Sequence, residues 1–260
     1  MEILFFPAII AGLYLWFRSY WALFNVRQFH TNRKHRTLLA ALPVFCVAVF
    51  ALVVRFWSSP DVRSDVESMV LYTLGGAAWL QLGLFLLALL GVGVREDVIE
   101  RQNPAAAWVV SGAMIGTTFC YAGSNIGSGP GAEVVLFCAV LSTAFLFASW
   151  FFLERVFRLA DQITIDRNEG AGIRVGGWMC ALGLIFGAAV AGDWVSLQGT
   201  IWDFFRYAWV ALPFFLAAIA IEAAFRSLQA RTEPRRGAWV AAAFAYFLAA
   251  AVYVAWRGVH

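Results

Sequence analysis

Residues 134–153 read VVLFCAVLSTAFLFASWFFL, twenty positions in succession without a charged side chain. An α-helix needs about 20 apolar residues to cross a hydrocarbon core about 30 Å thick, so this stretch places the chain in a bilayer. Outward from it, the sequence resolves into eight such stretches: Ile3–Phe24, Leu38–Trp57, Met69–Val94, Ala105–Gly123, Ala132–Leu153, Gly170–Val190, Ile201–Phe225 and Ala238–Trp256. The whole chain is 62% hydrophobic and 13% charged, about half the charge of a soluble domain, and little of it is left over for one. The alternating ten-residue segments of a β-barrel are absent from the pattern. The expected fold is an all-α integral membrane protein of about eight transmembrane helices arranged as hairpins: an N-terminal hairpin over 1–68, a core of two repeated hairpins over 69–195, and a C-terminal hairpin over 196–260.

The loops between these stretches alternate in charge. Those after the first, third, fifth and seventh carry Arg27, Arg33, Lys34 and Arg36; Arg95 and Arg101; Arg155, Arg158 and Arg167; and Arg226, Arg231, Arg235 and Arg236. The intervening loops hold Arg63 among acids, no charge over Ser124–Gly131, and only Asp193 over Gly192–Thr200. Basic loops stay in the cytoplasm, so both termini are expected on the periplasmic side of a bacterial inner membrane. Glu2, rather than a basic cluster, precedes the first apolar run, which argues for an anchor and against a cleaved signal. The net charge of +3 is therefore a topology signal, and no basic stripe with interleaved aromatics suggests nucleic acid.

A motif recurs at a fixed offset. Asn103-Pro104-Ala105-Ala106-Ala107 precedes Ser111-Gly112 and Met114; 65 positions later, Asn168-Glu169-Gly170-Ala171-Gly172 precedes Gly176-Gly177 and Met179. Each unit is an inbound helix, a short amphipathic connector and an outbound helix rich in small residues. Two copies that each cross twice share one orientation, which implies an axis along the membrane normal. Asn103 and Asn168 are expected helix caps, Asn103 with Pro104 in the first helical position. Alternatively, the two helix starts face each other and bind an anion or headgroup. Gly112 and Gly116, Gly172 and Gly176, and Gly183 and Gly187 are GxxxG pairs, which let helix backbones approach closely in lipid. Spans four and six are expected to cross through them, or to cross their copies in a second subunit; a glycine-lined path is the alternative.

Polar groups inside the spans are few. Gln81, Thr117, Thr118 and Ser142 form the candidate polar lining, and no carboxylate lies near a span centre. Arg174 is expected to snorkel to the cytoplasm. Glu222 with Arg226 and Glu154 with Arg158 are expected i,i+4 pairs, and Asp203 with Arg206 an i,i+3 pair. Cys46, Cys120, Cys138 and Cys180 sit in spans without a CxxC pair and read as small apolar residues. His30 and His35 lie five apart in the first basic loop with no acidic partner, and no span contains a histidine. No cofactor, metal site or catalytic constellation is expected, and tryptophans near span ends, such as Trp16, Trp21, Trp150 and Trp202, read as interfacial belts.

The paired motifs, Asn103-Pro104-Ala105-Ala106-Ala107 with Ser111-Gly112 and Gly116 and its echo from Asn168, resemble the two copies of the YjfL-like inner-membrane family, a bacterial domain of unknown function. The similarity covers about Met69 to Trp194. Gly170 and Gly172 stand where that family usually has alanine, and extra hairpins flank the core. The resemblance implies no reaction and no catalytic residue; by way of gene neighbours related to ATP-grasp ligases and phage-shock proteins, it implies a role in envelope stress. Two functions follow. One is a non-enzymatic scaffold or sensor that packs through its glycine faces, meets membrane lipid, a second copy of itself or a cytoplasmic protein, and presents Arg33, Lys34, Arg36, Arg235 and Arg236 to the cytoplasm. The other is a channel or transporter for an ion or small solute.

Overall fold

The computed structural model describes residues 2–25, 33–229 and 236–258. They form eleven α-helices: α1 (Glu2–Asn25), α2 (Arg33–Trp57), α3 (Pro60–Ser64), α4 (Val66–Leu89), α5 (Pro104–Ser124), α6 (Ala132–Phe157), α7 (Leu159–Thr164), α8 (Glu169–Val190), α9 (Leu197–Ala208), α10 (Ala211–Gln229) and α11 (Arg236–Arg257). A π-helical connector, Val94–Glu100, joins α4 to α5. No β-strand occurs among the described residues; a lone bridge links Ser58 to Gly127.

Six of the described helices are long and apolar enough to cross a membrane, in α2, α4, α5, α6, α8 and α11. The bent pair α9–α10, broken at 43°, would make a seventh. The remaining expected span, Ile3–Phe24, coincides with α1, some of whose side chains lie outside the described residues. The helix expected as one piece over Ile201–Phe225 is thus two, and Pro213 in the first turn of α10 supplies the reason: it has no N–H to continue the α9 ladder.

Burial orders the bundle. In α5 and α8, 83% of the spanning residues are buried, against 22% in α2 and 11% in α11, so α5 and α8 are the centre and the others wrap them. Helix α1 leans on α4, where Gly12 meets Ala78 and Trp16 Nε1 donates to Ala77 O at 2.7 Å. Phe50 of α2 packs edge-on to Tyr121 of α5 at 5.1 Å, and Gly177 of α8 seats Ala243 of α11. Helices from both ends of the chain therefore pack against α4, α5 and α8. Large apolar side chains such as Phe85, Phe152, Phe244 and Trp256 point outward, as a lipid-solvated bundle requires.

Candidate functional site

The centre of the molecule is the seam between α5 and α8. Contacts advance together along both helices, Ala105 with Gly172, Gly112 with Gly176, Gly116 with Gly183 and Gly123 with Gly187, so the two run parallel. A methyl group on Gly112, Gly123, Gly183 or Gly187 would collide with backbone of the facing helix. Lipid gives two helices no hydrophobic reason to associate; backbone approach through glycine provides dispersion contact in its place. Cysteine thiols close the seam from both sides, Cys120 Sγ lying 3.8 Å from Gly183 O and Cys180 Sγ 3.7 Å from Gly112 O.

At the arginine-rich end, the two asparagines work as caps. Asn103 Oδ1 accepts from the amides of Ala105 and Ala106, and Asn168 Oδ1 accepts from Ala171. The capping side chains thereby occupy these three amides, so they compete with an anion for the same donors. Asn103 also ties the two connectors together, its Nδ2 donating to Ile163 O at 2.7 Å. The backbone repeats at the 65-residue offset: Asn103 N donates to Asp97 O and Asn168 N to Gln162 O, and the residues before the caps, Gln102 and Arg167, both adopt left-handed φ, 52° and 53°. The connector Val94–Glu100 and α7 also correspond at that offset, one π-helical and the other α-helical.

The same offset reaches the charge-poor end, where sequence reading stopped short. Gly127 and Gly192 both have positive φ, 105° and 137°, and pack backbone to backbone. Ile126 O accepts from Gly192 N, and Ser128 N donates to Asp193 Oδ1 at 2.7 Å. Around these turns opens a cavity of about 500 Å³. Asp61, Asp193, Asp203 and Arg257 line it, together with the buried Tyr72, Ser124 and Asn125. Hydrogen bonds tie these buried residues together: Tyr121 Oη donates to Tyr72 O, and Ser124 Oγ and Asn125 Nδ2 both donate to Tyr121 O. Arg257 is fixed by a 2.6 Å bond to Ala188 O and lies 3.5 Å from the centre of the Tyr207 ring.

Each polar residue of the candidate lining has its own surroundings. Thr118 Oγ1 and Ser142 Oγ donate back to carbonyls four residues earlier, Met114 O and Cys138 O, as buried hydroxyls on helices do. Thr117 is buried against Gly83. Only Gln81 among the four lines either of the two described cavities. The side chains of Arg33, Lys34 and Arg36, those of Arg226 and Arg236, and all of Arg235 lie outside the described residues.

Arg174 and two of the expected charge pairs are placed differently in the structure. Arg174 does not snorkel: it is 2% exposed and holds Glu222 through two 2.7 Å bonds, Nε to Oε1 and Nη2 to Oε2, with Phe225 4.2 Å beneath it. The paired carboxylate offsets the buried guanidinium through two charge-assisted bonds and leaves only Nη1 without a partner. Glu222 thus has a partner across helices, 48 residues away, while the expected pair with Arg226 falls on a side chain outside the described residues. Arg158 adopts φ 50° and ends α6, so it leaves the helical face of Glu154 and approaches Asp161 at 3.6 Å, while Glu154 meets Arg155 at 4.0 Å. Arg206 lies over Tyr207, and Asp203 faces the cavity.

A family model described as a Domain of Unknown Function (DUF350) matches residues 61–164 and, in a second overlapping copy, residues 131–256. The matches extend well past the Met69–Trp194 stretch that carries the paired motif. No curated protein and no solved structure matches the chain.

Proposed function

The chain belongs to the DUF350 family, a domain of unknown function carried here in two overlapping copies, and on that premise we propose that it is a non-enzymatic sensor or scaffold of the bacterial inner membrane. The observation that carries this reading is the polar cavity of about 500 Å³, open at the charge-poor end and built on the Gly127 and Gly192 turns of the rigid α5–α8 seam. A preformed concavity with a few convergent polar groups is the ordinary form of a small-molecule site. The hydrogen-bonded residues beneath the turns, and the turning of Thr118 and Ser142 into their own helices, favour binding without passage. In this arrangement the charge-poor end and both termini face the periplasm, and the arginine loops, including Arg33, Lys34, Arg36, Arg235 and Arg236, meet anionic lipid or a cytoplasmic protein. The core would be the two hairpins over 69–195, related by an axis along the membrane normal; the likeness to YjfL-like proteins supports a role in envelope stress.

A channel or transporter is the second reading, and one observation favours it. Ionisable residues buried among spans and interrupted helices both mark many transport pathways. Here Glu222 is held to Arg174 inside the bundle while its helix, α10, meets α9 at a 43° break. Reconstitution separates the two. Liposomes containing the protein are expected to release trapped ions and small polar solutes no faster than empty ones; sustained flux that disappears in Glu222→Gln would establish the second reading and sink the first.

A further inference from the structure

A second cavity, of about 240 Å³, lies between α1, α4, α5 and the π-helical connector. Its walls are apolar, with Leu84 and Phe85 from α4 and Val110 and Met114 from α5; Arg95 and Glu96 of the connector stand at its mouth. Gln81 also lines it, and the Gln81 Nε2 is buried without a hydrogen-bond partner. Gln81 precedes Leu89, the last residue of α4, by eight positions, so the amide sits roughly 12 Å along the helix from its arginine-rich end at 1.5 Å per residue. At that depth no water meets an N–H, and an unmet donor in apolar surroundings is costly.

We infer that this cavity binds the carbonyl group of a membrane lipid, with Gln81 Nε2 as the donor. An amide nitrogen can only donate, so the missing partner is an acceptor. The walls are mostly apolar and the lining cation, Arg95, is already paired with Glu100 at 2.9 Å, which favours a neutral acceptor over a charged one. Sites for whole drug-sized ligands run from roughly 300 to 1,000 Å³. A cavity of about 240 Å³ therefore holds a ring or a segment of chain while the rest of the molecule stays in the bilayer. Membranes offer this chemistry from two sources: the acyl esters of glycerophospholipids and the head groups of isoprenoid quinones.

The test compares the full chain in nanodiscs of diacyl phospholipid, in nanodiscs of the ether-linked phospholipid with the same head groups, and in the ether discs supplemented with a short-chain quinone. Thermal unfolding and native mass spectrometry of co-purifying lipid are read in each, for wild type and for Gln81→Leu, which keeps the volume and removes the donor. Wild type is expected to be stabilised by a carbonyl-bearing lipid relative to ether discs, and to lose about fivefold in retained lipid on Gln81→Leu, the worth of one neutral hydrogen bond. Stabilisation in diacyl discs alone identifies the ester as source; stabilisation by quinone in ether discs identifies the quinone. Equal stability of wild type in all three media overturns the inference whether or not the variant folds, as does undiminished retention by Gln81→Leu.

Discussion

The two seams of α8 are held by opposite means. Toward α5 it presents Gly172, Gly176, Gly183 and Gly187, and the helices touch through backbone. Toward α10 it presents Arg174, and the helices are joined by one bidentate ion pair above the Phe225 ring. The first seam is long, apolar and made of many small contacts; the second is concentrated at one point. Dispersion between close backbones tolerates no added atom anywhere along its length, whereas a buried ion pair tolerates change everywhere except at its two members. The glycine seam belongs to the part of the molecule that carries the cavity at the charge-poor end, and the charged seam to the helix that is broken.

Loss of one partner at the charged seam is expected to have the largest effect. Glu222→Leu leaves the Arg174 guanidinium buried and unpaired and should lower stability by about 3–5 kcal/mol, read as unfolding in nanodiscs. Replacing both residues, Arg174→Leu with Glu222→Leu, should recover most of that loss. A double variant as unstable as the single would show that the pair contributes more than mutual neutralisation, and the contrast between the seams would then have to be redrawn. At the glycine seam, Gly112→Ala sets a methyl against the backbone of Gly176 and should cost about 1–3 kcal/mol, whereas Gly237, with open space around it, should accept alanine freely. Equal melting temperatures for these two variants would remove the basis for calling the seam tight.

Asn103→Ala tests the point at which the two connectors meet. It removes the cap on two α5 amides and the bond to Ile163 O, and about 1–2 kcal/mol should be lost, with faster hydrogen exchange at Ala105 and Ala106 as the local signature. The smallest effect is expected away from both seams, at Asp65, the exposed N-cap of α4. Hydrogen bonds from the Ser68 side chain and amide hold its carboxyl below the ordinary carboxylate range. A carboxyl whose folded value is depressed contributes stability above its unfolded value, near pH 3.9, and loses that contribution as pH falls toward the folded one. Asp65→Asn should therefore leave stability at neutral pH little changed and flatten only the acid limb of a stability–pH profile; an unchanged acid limb would count against the cap.

Much of this architecture could be read without coordinates, because its causes are local. Span length follows from bilayer thickness, and Asn103-Pro104 and Asn168-Glu169 announce helix starts by their own hydrogen-bonding chemistry. What escaped was set by tertiary partners or by a signal passed over. Nothing near Arg174 in sequence points to Glu222, so local periodicity pairs Glu222 with Arg226 instead. Pro213 did mark the break between α9 and α10, but a proline near the middle of an apolar run is easily absorbed into one span, as Pro43 is in α2. The 65-residue correspondence likewise continued from the caps to Gly127 and Gly192, where the turns look dissimilar because one reads Ile-Gly-Ser-Gly-Pro and the other Ala-Gly-Asp-Trp. What their backbones share is the glycine at positive φ, to which Asp193 adds a bond from Ser128 N across the two turns.

The contact between Gly127 and Gly192 binds the history of one turn to that of the other. Gly192 is the wall against which Gly127 rests, and both hold a left-handed φ, so a side chain acquired at either position would be resisted. Descendants of this chain can vary the lining residues around the opening, and so what enters it, far more freely than these two positions.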